Sequence, residues 1–204
     1  MRITNQHQPW QYALHAVCVL LFCCFIGDRA MAREALLPQQ PDDELRRLLS
    51  EAVNQSDSFI DRFDAEVWLM DMSRRLQKKI PDPAERLRTL RIIHYEAARA
   101  SLPAELVLAL IEVESNFNRW AISSVGAQGL MQVMPFWLKE IGRPNDNLFN
   151  TETNLRFGCT ILRHYLNKEK GGLPRALARY NGSLGQTKYS NKVFAALQKR
   201  WYRQ

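Results

Sequence analysis

Cysteine is scarce and poorly placed for cross-linking. Cys18, Cys23 and Cys24 all fall within one apolar run near the N-terminus, and Cys159 stands alone in the rest of the chain. If that run is removed on export, neither an intramolecular disulfide nor a cysteine-based metal site can form. His94 and His164 lie far apart with no ligand spacing, so no metal and no other cofactor is expected. No apolar run reaches the ~20 residues that a membrane-spanning helix needs. No stretch alternates apolar and polar residues over strand length, and no repeat or low-complexity tract is present, which excludes β and solenoid architectures. Between Ser115 and Lys139 there is no acidic residue at all.

What remains is helical in pattern. With 204 residues, 46% of them hydrophobic, the chain can bury one sizeable core. Residues 1–32 read as a secretory signal: Arg2, then the apolar run 13–27, then Ala30-Met31-Ala32 as a small-x-small cleavage site. An uncleaved anchor is the alternative, and bulky Phe22 before Cys23 speaks against lipidation. Residues 33–80 read as a helical extension, opened by the polar tether 37–41. Its segments are 42–53 and 57–79, the latter with Phe59, Phe63, Val67 and Met70 sharing one face. Residues 81–204 form the main domain, beginning where Asp82-Pro83 caps a helix.

The net charge is +7, and loss of Arg2, Arg29 and Asp28 with the signal leaves 26 basic and 20 acidic residues, or +6. The densest basic cluster, Arg74-Arg75-Leu76-Gln77-Lys78-Lys79, follows Asp61, Asp64, Glu66 and Asp71 and lacks interleaved aromatics. It reads as a solvated helix face, so no nucleic-acid partner is expected. Attraction to an anionic cell wall agrees with export.

One carboxylate stands out. Residues 104–114 are rich in helix formers after Pro103, and Val107, Leu110, Ile111 and Glu114 share one face at i, i+3, i+4 and i+7. Glu105 and Glu112 point to the far side, and Glu112 reads as solvated. A carboxyl held against apolar surface resists ionisation, which suits it to general-acid work near neutral pH. The Gly- and Ser-rich residues 123–129 then form a turn. Residues 130–134 read as a short apolar helical turn ended by Pro135. Met131 reads as core filling, whereas a buried Gln132 needs partners. Tyr180-Asn181-Gly182 closes a proline-started helical segment and by itself is a helix end with glycine beyond the cap.

Taken together, the run from Glu114 to Pro135 and the Ala178-Arg179-Tyr180-Asn181-Gly182 cluster resemble the soluble lytic transglycosylases, lysozyme-like enzymes that cleave peptidoglycan with one glutamic acid. The resemblance covers about half the chain, roughly residues 102–202. It implies an all-α, lysozyme-like (goose-type) domain in which Glu114 is the catalytic acid and base. It also implies that Ser123, Gln132, Met134, Tyr180 and Asn181 bind substrate, Ser123 near the acetamido group, Met134 against a ring face, and the Tyr180 hydroxyl fixing Glu114. The partner implied is the peptidoglycan glycan strand, with the protein monomeric in the periplasm or anchored to the membrane and facing it. The rival readings are a goose-type-lysozyme-like muramidase and a non-catalytic cell-wall-binding protein. The chain departs from the family at Arg119-Trp120, where relatives usually carry proline, and in the short residues 182–189, which replace a longer substrate-covering loop.

Overall fold

The computed structural model describes residues 62–202, so the signal, the tether and the 42–53 segment lie outside the described residues. Every regular element among the described residues is a helix, with no extended strand beside two isolated bridges, Ile122 to Gln128 and Gln128 to Val133. Seven α-helices run in chain order: α1 (Arg62–Leu76), α2 (Pro83–Arg99), α3 (Ala104–Ser115), α4 (Phe136–Ile141), α5 (Thr151–Lys168), α6 (Leu173–Tyr180) and α7 (Lys188–Ala196). One π-helical turn, Leu197–Trp201, ends them. The helix ends follow from local chemistry. Asp82 accepts from the N–H groups of Ala84 (3.2 Å) and Glu85 (3.1 Å), with Pro83 in the first turn, where its missing N–H is harmless. Asn150 caps α5 by accepting from the Thr153 N–H at 2.9 Å. Past α6, the Ser183 N–H reaches Ala178 O (2.7 Å) and the Gly182 N–H reaches Arg179 O (3.1 Å). Gly182 takes the left-handed φ of +75° that this closure requires.

The core is built around α3. Val107, Leu108, Ala109, Leu110 and Ile111 are fully buried, as expected of a helix apolar on every side. On one flank α3 meets α2. On the other it meets α7 and the π turn, while α5 joins α2 to α6. Helix α1 shares this core: Ala65, Trp68, Leu69, Met72 and Leu76 belong to the same cluster as Ile111, Met131 and Trp201. Residues 62–80 are therefore packed into the main body.

Three expectations are corrected. The 57–79 segment was expected to turn Phe63, Val67 and Met70 inward, but these are exposed, and Phe59 lies outside the described residues. The Trp68 face carries more apolar bulk over more turns, and its indole N–H finds an acceptor in Glu105 at 2.9 Å. Residues 130–134 are a tight reversal, not a helix. Gln128 and Val133 exchange N–H···O bonds of 2.9 Å in both directions, with Gly129 and Gln132 at φ +77° and +50° between them. Pro135 consequently opens α4 instead of ending a helix. The basic cluster is only partly solvated. Arg75 binds Asp71 through two bonds (2.7 and 3.0 Å) and donates to the carbonyls of Arg200 (2.8 Å) and Tyr202 (3.2 Å), tying α1 to the end of the chain.

Candidate active site

Glu114 occupies the last turn of α3, on the side of the helix that its spacing indicated. The chain leaves abruptly beyond it. Asn116 and Phe117 both adopt positive φ (52° and 65°), and the Phe117 ring is buried 5.5 Å from that of Trp201. Two non-glycine residues in the left-handed region carry strain, which the buried Phe117 ring holds in place. The hydroxyl of Tyr189, a buried residue in the first turn of α7, donates to Glu114 Oε1. Burial dominates the acidity of this carboxyl and lifts it from 4.5 to about 7, while the Tyr189 bond, which favours the charged form, pulls the other way. The group therefore holds its proton through most of the acidic range and exchanges it near neutrality.

Further along the chain comes the Gly129–Gln132 reversal, which three side chains secure. Asn154 of α5, almost fully buried, accepts from the Met131 N–H (2.8 Å) and donates to the carbonyls of Gln128 and Leu148 (2.8 Å each). Ser115 donates to Leu130 O at 2.8 Å and so couples the reversal to the residue next to Glu114. The Tyr180 hydroxyl donates to Met131 O at 2.7 Å. Glycine is required twice here. A Cβ on Gly129 would lie 2.2 Å from Asn154 Nδ2 and 2.4 Å from Leu148 O, and one on Gly158 would lie 2.3 Å from Met131 Sδ. Met131 is fully buried, as core filling demands.

The remaining candidates divide by what their polar atoms already do. The Ser123 oxygen accepts from the N–H groups of Ala127 (3.0 Å) and Val125 (3.3 Å), which leaves its hydroxyl proton for another acceptor. Gln132 spends its side-chain nitrogen on Gly129 O (2.9 Å) and Ala121 O (3.1 Å), so its amide oxygen is the end turned to other uses. Met134 is half-buried between the reversal and α4. Asn181 is an exposed residue at the C-cap of α6. Tyr180 is the one whose expected contact is not made. Its hydroxyl engages Met131 O, and Tyr189 holds the carboxyl in its place. Tyr180 is still an electrostatic neighbour, because burial first and the Glu114 carboxylate second push its phenol well above its ordinary value.

Residues 91–202, more than half the chain, match the transglycosylase SLT domain family. The chain belongs to that family. Two relatives, both named membrane-bound lytic murein transglycosylase C, come from Yersinia pestis (strain Pestoides F) and Yersinia pseudotuberculosis serotype O:1b (strain IP 31758). Each is 35% identical over 112 residues, covering 47% of this chain and 31% of the relative. The chain thus spans about a third of the length of these relatives. Among solved structures, an inactive mutant of the lytic transglycosylase Slt from Pseudomonas aeruginosa is 21% identical. It covers 74% of this chain and 33% of its own, at a TM-score of 0.44.

Within this SLT domain the sequence reading missed three residues. Tyr189 stands in a polar stretch with no motif around it, yet Tyr189, Val193 and Ala196 repeat at i, i+4 and i+7, and all three are buried. Asn154 carries no local sequence signal, because its partners at Gln128, Met131 and Leu148 are set by the fold. Glu112 was read as solvated and is not. Its carboxylate accepts from the Trp201 indole (2.7 Å) and from Arg200 Nε (2.6 Å), with its side chain 10% exposed. The last helix therefore grips both sides of α3, through Tyr189 on Glu114 and through the π turn on Glu112. Arg179 is half-buried and pairs with Glu169.

Proposed function

We propose that the chain is a lytic transglycosylase that cuts the β-1,4 bond between N-acetylmuramic acid and N-acetylglucosamine. The observation that carries this reading is the Glu114 carboxyl, kept protonated to about pH 7 by burial and oriented by the Tyr189 hydroxyl. In the first step its O–H protonates the glycosidic oxygen, and the bond from that oxygen to the muramic acid anomeric carbon breaks. The resulting Glu114 carboxylate then takes the proton of the muramic acid 6-hydroxyl, whose oxygen bonds to the anomeric carbon and closes a 1,6-anhydro ring. The acid is regenerated and no water is consumed. Ordinary glycoside hydrolysis needs a second carboxylate. No carboxylate is among the groups that shift Glu114, and the chain that follows it has no acidic residue from 115 to 139.

In this reading Ser123 donates its free hydroxyl proton to the acetamido carbonyl, Gln132 accepts from a sugar hydroxyl, and Met134 covers a ring face. Asn181 contacts the saccharide from the end of α6, and Tyr180 keeps the reversal under the sugar in register. The relatives' printed name and the apolar run at residues 13–27 favour the cell envelope, with a signal cut after Ala32 and a monomeric protein in the periplasm. N-terminal sequencing of mature protein tests the cut, which predicts a start at Arg33. Mass spectrometry of digested peptidoglycan tests the chemistry: anhydromuramyl ends support transglycosylation, reducing ends mean a hydrolase, and no release means a binder.

A further inference from the structure

A cavity of about 160 Å³ lies between α2 and the start of α5, lined by Glu85, Arg88, Thr89, Arg119, Thr151 and Glu152 among others. Neither Glu114 nor either of its tyrosine neighbours lines it. At ~30 Å³ per water molecule it has room for roughly five waters, well below the ~300 Å³ at which pockets for drug-sized ligands begin. A stretch of saccharide does not fit inside, but a compact head group does.

Its lining is unusual in charge. Two arginines and two glutamates line one small volume, and none of the four appears in any ion pair among the described residues. Arg119 is immobilised at this wall. It donates to Phe149 O at 3.1 Å, and its guanidinium lies 4.6 Å from the centre of the Trp120 ring, which stacks in turn on Phe149 at 5.8 Å. Its Nε is buried and has no hydrogen-bond partner. Guanidinium groups match carboxylates in shape as well as charge. Glu85 and Glu152, unpaired in the same space, call for a cation.

We propose that this cavity binds a compact zwitterion, an ammonium and a carboxylate on one carbon, as in a free amino acid or the free end of a diamino acid in a peptide. Arg119 and Arg88 take the carboxylate, and Glu85 and Glu152 take the ammonium. Only the second source rests on the peptidoglycan reading, since the peptides attached to glycan strands present such ends. The binding itself does not depend on turnover.

Calorimetric titration of the full chain tests this with four probes: alanine, a peptide bearing diaminopimelate with its free amino-acid end, acetate and methylammonium. Expected are saturable binding of at least one zwitterion, at least tenfold weaker in Arg119→Gln and in Arg88→Gln, and at least tenfold weaker binding of acetate or methylammonium alone. Tighter binding of the peptide assigns the attached source, and tighter binding of alanine the free one. Arg88 is exposed on α2, so its variant keeps the fold if the arginine stack of Arg119→Gln proves structural. No saturable binding of either zwitterion, equal binding of acetate, or unchanged affinity in a folded Arg88→Gln protein overturns the proposal. Cleavage of peptide-free glycan strands should be unaltered in Arg88→Gln. Loss of cleavage in the unsubstituted protein would sink the transglycosylase reading and leave this one standing.

Discussion

Replacing Glu114 by glutamine should make the protein more stable, and only above a definite pH. Glu114 ionises near 4.5 in an unfolded chain and near 7 in the native one. Between those values the native state holds a proton that the unfolded state has lost, so native stability falls as pH rises through that window. The full contribution is present below pH 4.5 and gone above 7. At 1.36 kcal/mol per pH unit the loss is about 3 kcal/mol. Glutamine has no charge to desolvate, and its oxygen still accepts from the Tyr189 hydroxyl, so the variant avoids this cost. Melting both proteins at intervals from about pH 4 to about pH 8 gives a difference curve. It should be near zero at the acid end and rise to roughly 6–12 °C at the alkaline end, taking about 2–4 °C per kcal/mol for a domain of this size. His94, which burial depresses from 6.5 to about 4, titrates with the opposite sign over part of the range. It is common to both proteins and cancels in the difference. A flat difference curve would mean that the carboxyl is not held neutral by burial, and the general-acid argument would fail with it. Cleavage by the variant should be lost at every pH.

Other consequences follow from single contacts. Glu112→Ala strands the buried Trp201 indole N–H and releases Arg200. It should lower stability by about 1.5–3 kcal/mol, read from urea unfolding, and an unchanged midpoint would restore the solvated reading of Glu112. Gly129→Ala places a Cβ against Asn154 and Leu148 O and forces alanine to φ +77°. About 3 kcal/mol or more should be lost, together with cleavage, since the clasp on Met131 cannot form alongside it.

Most of the helical frame was legible from the sequence because its signals are local. Asp82-Pro83 and the Gly182 closure each act within five residues, and the apolar character of α3 is a property of one helix. The Gly129–Gln132 reversal was not legible as a non-helix. Leu130-Met131-Gln132-Val133 has good helical composition, and what straightens it out of the helix is Asn154, 23 residues away from Met131. Helix α1 failed for a related reason. Two faces were apolar, and only the docking of Trp68 onto Glu105 of α3 chose between them. The tyrosine assignment is the sharpest case. The family resemblance suggested Tyr180, but a hydroxyl's partner is decided by tertiary distance, and the structure gives Tyr180 to Met131 O and Tyr189 to Glu114. The two can be told apart by experiment. Tyr189→Phe removes a bond that favours the charged carboxyl, so the Glu114 titration should move upward. A hydrogen bond to a charged group is worth about 1.5–3 kcal/mol, or roughly one to two pH units, and the alkaline limb of the pH–rate profile should move by that much. Tyr180→Phe leaves Met131 O without its partner. It should lower stability by about 1–3 kcal/mol and reduce the rate, while the alkaline limb stays close to its original position. If Tyr180→Phe shifts that limb and Tyr189→Phe does not, the sequence's first choice was right, and the hydroxyl on Glu114 in solution is Tyr180.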